Sequence, residues 1–353
     1  MNNDSLLEEI RRAAELSPEE RNANEYHELK KNFVIDSNVE YPDPEYLIEI
    51  GGVPTMPKGN LVALSAKWKN GKTFFCDILT AIYLGCDQFA NCRSRSAEGR
   101  VLFFDTEQAR SDTARIHKTI EAMTPEQRQN DFEVFCLREA VIDTDMDENA
   151  VVSRFEFIKR SISQEHPDLV IIDGIADLIY NYNDVIESQS IVNELAAIAN
   201  RHNCCIVVVM HQNKGQKDKN MKGHLGTMLF QKCSDVFNVE KCGSVFVASH
   251  AVSRHRNCED IAFKLDANAV PMDAVADRQL QVEMQRQQSE SNMREMLTDL
   301  IPEDGTPVKR KDVVQKLIKE FDLNKNKSYD VLNNAITAGI IVEVDRTRIK
   351  KKM

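Results

Sequence analysis

Three short clusters in this sequence carry side chains that could do chemistry on a phosphate. Gly71-Lys72-Thr73 joins a residue without a Cβ, a long cation and a hydroxyl. The glycine lets backbone N–H groups approach an anion, the ammonium reaches phosphate oxygens, and the hydroxyl offers a ligand to Mg2+. Asp105-Thr106-Glu107-Gln108 follows the apolar run 101–104, and Asp173-Gly174 follows the apolar run 169–172. A carboxylate at the carboxyl edge of a parallel strand is where α/β proteins place catalytic groups. Each cluster also has a plainer reading. Asp105 and Glu107 suit the N-cap and first turn of a helix beginning near Ala109. Asp173 suits a strand-end turn, and a lone Gly-Lys-Thr arises by chance. The order decides for a nucleotide site: loop first, acidic strand about 100 residues later, two strand–helix units between.

The elements that must position these groups are legible from their periods. Residues 61–64 read as a buried strand, and Phe75, Ile78, Leu79 and Ile82 recur at helical spacing after Lys72, with Gly85 as the stop. Further strands are expected at 46–50, 100–104, 133–137, 168–173 and 205–210, and helices at 148–164 and 186–201, the latter ended by Asn203. Strands at 236–240, 244–251 and 261–265 follow, with Gly51-Gly52-Val53-Pro54 read earlier as a turn. The fold class is therefore α/β, a mostly parallel sheet flanked by helices. The strand at 205–210 ends in His211-Gln212, a polar pair placed to lie near a terminal phosphate. The loop after it carries Lys214, Lys217, Lys219 and Lys222 against one Asp218. These lysines could track a nucleic-acid backbone or simply be solvated. Arg254 and Arg256, one residue apart, project to the same side of a hairpin tip and could contact phosphate or stand exposed.

Of 353 residues, 42% are hydrophobic and 29% charged, a globular composition with room for about two domains. No apolar run approaches the roughly 20 residues of a membrane span. An acidic start and nine cysteines with no C-x-x-C pair point to a cytoplasmic chain with reduced core thiols, Cys76, Cys136, Cys204 and Cys205 among them. A structural metal is not expected, since His211 and His224 lack cysteines at ligand spacing. Net charge −11 argues against coating nucleic acid through bulk charge. The charge is uneven, however: residues 293–353 hold 13 basic and 10 acidic side chains, a net +3, which leaves −14 for the rest.

Four segments follow. Residues 1–43 form a helical arm, one amphipathic helix through Leu6, Leu7, Ile10 and Ala14 and a second starting at Ser17-Pro18. Residues 44–267 form the α/β domain, and the Gln- and Glu-rich stretch 268–292 reads as a linker, with room for partial helix. Residues 293–353 read as helices at 293–301, 308–320 and 327–338 and a strand at 339–344, the order of a winged helix-turn-helix. Its basic balance points to nucleic acid, though such modules also dock proteins.

Residues 44–266 resemble the RecA/DnaB-type ATPase core, in the version of the RepA-like replicative helicases of plasmids and mobile elements. The segments that carry the likeness are AKWKNGKT at 66–73, FFDTEQ at 103–108, DLVIIDG at 168–174, VVVMHQNKG at 207–215 and SRHRN at 253–257. The resemblance implies ATP and Mg2+, with Ala66, Lys67, Trp68, Lys69, Asn70, Gly71, Lys72, Thr73 and Phe74 cradling the nucleotide. Thr73 and Asp173 would hold the metal, Glu107 would be the general base, and Arg115 would match the family's arginine that follows it. His211 and Gln212 would sense the γ-phosphate, and Arg254 and Arg256 would reach into a neighbouring subunit's site. It also implies a homo-oligomeric ring, commonly a hexamer, with the loop 213–226 lining a channel for single-stranded DNA. The chain departs from the pattern at Ala66, where the loop motif has glycine, in the bulky Lys67-Trp68-Lys69, and after Arg256, where Asn257-Cys258-Glu259-Asp260 replaces a glycine-containing turn.

These readings lead to an ATP-hydrolysing DNA motor of plasmid or mobile-element replication. The alternative is an ATP-dependent binding switch that acts with replication, recombination or mobilisation proteins without processive unwinding. A small-molecule kinase is a third reading without a visible acceptor site, and no membrane is involved. Trp68 is the sole tryptophan and lies inside the loop. Its fluorescence is expected to change on addition of Mg-ATP; a silent signal despite measured binding would turn the ring away from the nucleotide.

Overall fold

The computed structural model describes residues 17–96, 98–138, 150–213, 220–254 and 256–352. The chain divides into two units, Met1–Glu45 and Tyr46–Met353. In the first, helix α1 (Pro18–Phe33) opens with proline at its first position, where a missing N–H costs nothing. Leu6, Leu7, Ile10 and Ala14 lie outside the described residues.

The second unit begins with β1 (Tyr46–Ile50) and β2 (Val53–Pro57), a hairpin turned by Gly51 and Gly52; the expected turn thus ends before Val53. There follow β3 (Leu61–Ala66), α2 (Lys72–Tyr83), β4 (Cys92–Ser94), β5 (Val101–Asp105), α3 (Arg110–Met123) and β6 (Phe132–Cys136). Next come α4 (Ala150–Glu165), β7 (Leu169–Asp173), α5 (Val185–His202), β8 (Cys205–His211) and α6 (Gly223–Lys232). The antiparallel run is β9 (Asp235–Cys242), β10 (Val245–Ser253), β11 (Ile261–Leu265) and β12 (Pro271–Asp273), leading into α7 (Val275–Thr298). The chain closes with β13 (Val308–Lys309), α8 (Arg310–Phe321), α9 (Lys325–Thr337), β14 (Ile341–Asp345) and β15 (Arg348–Lys351).

The central sheet has nine strands in the order β12-β11-β10-β9-β3-β8-β7-β5-β6. The six strands from β9 to β6 in that order are parallel, and the β9–β12 pairs are antiparallel. This is a mostly parallel sheet flanked by helices. From β3 the chain passes over to β5, and β7 and β8 later fill the gap. The carboxyl ends of β3, β5, β7 and β8 therefore meet at one edge, where open α/β sheets bind ligands.

Period-2 alternation builds both layers. Val62 and Leu64, Leu169 and Ile171, and Val207 and Val209 face the cluster shared with Phe75, Ile78, Leu79, Ile116 and Ile120. Leu61 and Ala63, Val170 and Ile172, and Val208 and Met210 face the opposite cluster with Ile158, Ile162, Leu195 and Leu225. With helices on both faces, these strands read as unbroken apolar runs. On the first face, aromatic rings form a ladder: Phe246 to Phe263 at 5.1 Å, Phe263 to Phe75 at 6.5 Å, Phe75 to Phe237 at 5.7 Å and Phe237 to His250 at 4.6 Å between centroids.

Within residues 268–292, β12 adds an edge strand, and α7 is one continuous helix that also takes in most of 293–301. Its surface shows no apolar stripe because local pairs hold it, Arg286 with Glu290, Gln287 with Glu283 and Gln288 with Asn292. Both ends are fixed: Lys264 pairs with Asp277 at 2.6 Å, and Met293 and Leu297 join the core of α8, α9 and the β13–β15 hairpin sheet. In that core Asn324 caps α9 by accepting from Lys327 N at 2.9 Å, and Ile341 and Ile349 are buried. Among the described residues, no helix is long and apolar enough to cross a membrane.

Phe75 stands at the middle of the aromatic ladder and is fully buried. Phe75→Ala should lower the unfolding free energy by about 3–5 kcal/mol, read as a fall in the denaturant midpoint at unchanged slope.

Candidate nucleotide site

The loop between β3 and α2 turns through left-handed residues at Lys69 (φ 61°) and Gly71 (φ 82°), not at Ala66. Alanine therefore serves where the motif has glycine, because Ala66 is the last extended residue of β3. Gly71 is held to glycine twice over: besides its φ, an added Cβ would lie 2.7 Å from the Phe246 ring. The loop opens into a cleft of about 850 Å3, within the range of small-molecule sites. Residues 68–74, Asp77, Glu107, Arg115, Asp173, His211, Phe246 and the turn 268–270 line it. Ala66 and Lys67 lie behind this lining. Trp68 is 73% exposed, with the Lys69 ammonium 4.4 Å from its ring centre.

Two strand ends supply the acids. Thr73 Oγ1 donates to Asp173 Oδ2 at 2.6 Å, joining the first turn of α2 to the tip of β7. Asp105 is not at the cleft surface: it accepts from Glu107 N and Gln108 N at 3.0 Å and from Thr113 Oγ1 at 2.6 Å. It thus shapes the turn that presents Glu107. The hydroxyl of Thr106 accepts from Gly174 N at 2.8 Å, and Thr106 N donates to Asp173 O at 2.8 Å, so the tips of β5 and β7 are stitched together. A Cβ at Gly174 would lie 2.8 Å from Glu107 Oε1. That glycine makes room for the glutamate.

His211 stands between the cation and the acid. Lys72 Nζ donates to His211 Nδ1 at 3.0 Å, so the ring proton sits on Nε2, which faces Glu107 Oε1 at 3.4 Å. The His211 contact, aided by Lys72, outweighs burial and holds the Glu107 carboxyl below its ordinary range. Burial pushes Lys72 down, opposed by Asp173 and Glu107. Gln212, by contrast, turns away into the sheet, where its amide donates to Ser65 Oγ at 3.1 Å and Asn238 Oδ1 at 3.4 Å.

Further out, Arg115 reaches Asp112 at 3.0 Å on the exposed face of α3. Arg254 Nη2 is committed to Lys232 O at 2.7 Å, while Arg256 is exposed and makes no such contact among the described residues. The loop carrying both is pinned by Cys258 N, which donates to His250 Nδ1 at 3.1 Å. His250 Nε2 in turn faces Asp235 Oδ1 at 3.0 Å. Lys214, Lys217 and Lys219 lie outside the described residues; Lys222 stacks its ammonium 4.6 Å from the centre of the Tyr182 ring, and the expected loop gives way to α6 at Gly223. The sequence reading missed Asp77, Phe246 and the turn 268–270. Asp77 alone left a signal, an acid inside an apolar helix.

A family model described as an AAA domain matches residues 23–217. The chain belongs to the AAA domain family. Among curated proteins none matches it. Solved structures similar to this AAA protein include the RadB recombinase, at 18% identity over 61% of this chain and 91% of that one with TM-score 0.42. Another is a KaiC-like protein from Pyrococcus horikoshii OT3, at 12% identity over 62% of this chain and 92% of that one with TM-score 0.43. With its phosphate loop and strand order, the AAA chain carries a P-loop ATPase domain.

The donor set fits Mg2+: a hydroxyl and a carboxylate are hard oxygen ligands, and the ion keeps several waters. Burial, together with repulsion from Glu107 and Asp105, pushes Asp173 up to about 6 against the opposing bond from Thr73. Asp77, Asp105 and Asp177 are pushed up as well, burial leading in each. Between about pH 4 and 6 the folded chain retains a proton on Asp173 that the unfolded chain has released, so stability falls as pH rises through that window. Asp173→Asn should therefore raise the unfolding free energy of the metal-free protein at pH 7 by up to about 3 kcal/mol, a gain that shrinks toward pH 4. Denaturant titrations at the two pH values measure it.

Proposed function

We propose that this protein is an ATP-hydrolysing, ring-forming DNA motor similar to the RepA-like replicative helicases of plasmids and mobile elements. The observation that carries the reading is the convergence of Lys72, Thr73, Glu107 and Asp173 on one nucleotide-sized cleft, each held by a strand end or by its neighbour. Lys72 leaves His211 Nδ1 for the β- and γ-phosphate oxygens. Glu107, a carboxylate at neutral pH, accepts a proton from water as the water oxygen bonds to the γ-phosphorus. The bond from that phosphorus to the bridging oxygen breaks, and ADP carries off the electron pair. Thr73 and Asp173 would hold Mg2+, directly or through its waters, and the ion would supply neutralisation of charge on the phosphates. His211, freed from Lys72, keeps its Nε2–H toward Glu107 and signals the change to the segment that follows β8.

Among the described residues Arg256 is exposed, makes no side-chain hydrogen bond and lies outside its own cleft, which supports a trans role at a neighbour's γ-phosphate in a hexameric homo-oligomer. Arg254, held by Lys232 O, acts as the support of that loop. The lysines at 214, 217, 219 and 222 are assigned the binding of single-stranded DNA, the first three lying outside the described residues, and residues 293–353 the role of a winged-helix module that helps load it. The commitment of Arg254 within its own subunit favours a second reading, an ATP-dependent DNA-binding switch with replication or mobilisation proteins and no processive unwinding.

Strand displacement on a forked DNA, with DNA-stimulated hydrolysis followed alongside, separates the two: the motor displaces the strand, and hydrolysis without displacement at any subunit concentration leaves only the switch. Lys72→Ala should lose nucleotide binding. Arg256→Ala and Glu107→Gln subunits should each be inactive, a loss of about 10³–10⁵ for the arginine. Their mixture should regain hydrolysis where an intact Glu107 meets an intact Arg256; no regain would place the arginine in cis or outside the site.

A further inference from the structure

Asp77 interrupts the apolar helix sequence from Phe74 to Tyr83, and the loop chemistry does not use it. It is 1% exposed, it lines the nucleotide cleft, and its Oδ1 has no hydrogen-bond partner. A buried carboxyl oxygen without a donor is costly, and a leucine at this position would satisfy the core. What Asp77 Oδ1 lacks is a donor, and the cleft beside it is where one would arrive. Thr73 and Asp77 stand four residues apart on α2, hence on one face, and helix side chains lean toward the N-terminus. The Asp77 carboxylate therefore inclines toward Thr73 Oγ1, which bonds Asp173 at 2.6 Å. Mg2+ keeps several bound waters, all of them donors, and one of these can bridge the ion to a carboxyl set one turn further along the same helix face.

We propose that Asp77 is a positioning residue for the metal, accepting hydrogen bonds from waters of the Mg2+ held at Thr73 and Asp173. This rests on the nucleotide-site reading above. Outer-shell acceptors orient and polarise metal ligands, and their loss weakens the metal about ten-fold or more. Removing Asp77 should weaken the metal and spare the nucleotide, because no phosphate would touch an acid.

The test uses the full chain loaded with ADP, with Mn2+ as a paramagnetic stand-in for Mg2+ and free Mn2+ read by EPR. Asp77→Asn and Asp77→Leu should each raise the Mn2+ dissociation constant about ten-fold, while ADP affinity in EDTA stays equal or tightens. Asp77→Leu suits the apolar face and should melt no lower than the parent, so it remains informative if the asparagine variant folds poorly. A folded Asp77→Leu protein with parental Mn2+ affinity would overturn the proposal and leave Asp77 a core residue alone. If the parent itself takes up no Mn2+ with ADP, the nucleotide-site reading falls, and this inference with it.

Discussion

The hydrogen bond from Thr73 to Asp173 joins the first turn of a helix to the tip of a strand a hundred residues away, and the rest of the site is arranged around it. It sets the distance between the loop that would hold phosphates and the acids that would act on water and metal. It also concentrates negative charge: Asp77, Asp105, Glu107 and Asp173 gather near a single buried ammonium, Lys72. Such a group of carboxylates does not stabilise a fold, and burial raises three of the four toward the neutral form. The arrangement persists because the strands beneath it are packed on both faces and the strand tips are bonded through Thr106. The protein is held in a charge distribution that Mg2+ and a phosphate chain would complete.

The same rigid frame reaches the arginine loop. Phe246 covers Gly71, and the aromatic ladder runs through Phe75 and Phe237 to His250, which pins the far side of the loop through Cys258. Arg256, exposed and without a side-chain hydrogen bond among the described residues, projects from a loop tied to the core by packed rings and two partly buried hydrogen bonds.

Much of this was legible in the residues. Continuous apolar runs ending in Asp105, Asp173 and His211 mark doubly covered parallel strands and their reactive edge, because a strand buried on both faces has no polar alternation to show. Gly71-Lys72-Thr73 marks the loop, because few other residues can meet a phosphate there. The length of helix α7 was legible only in part, since it is held by polar i,i+4 pairs and by its ends, which leave no apolar stripe in the sequence.

The sequence by itself determined the parallel strands of the central sheet and most of the helices between them, in order, and that a lysine, a hydroxyl and strand-end carboxylates would meet. Strand pairing decided the rest. That β8 lies beside β3 brings His211 onto Lys72 and sends its neighbour Gln212 into the sheet; alternation says the two point apart, and only the sidedness of the sheet says which faces the phosphate loop. That Gly174 rests against Glu107, that Phe246 closes over Gly71, and that Asp77 is left in the cleft without a donor are long-range contacts. They depend on which surfaces are pressed together in three dimensions, a property that no local pattern of residues carries.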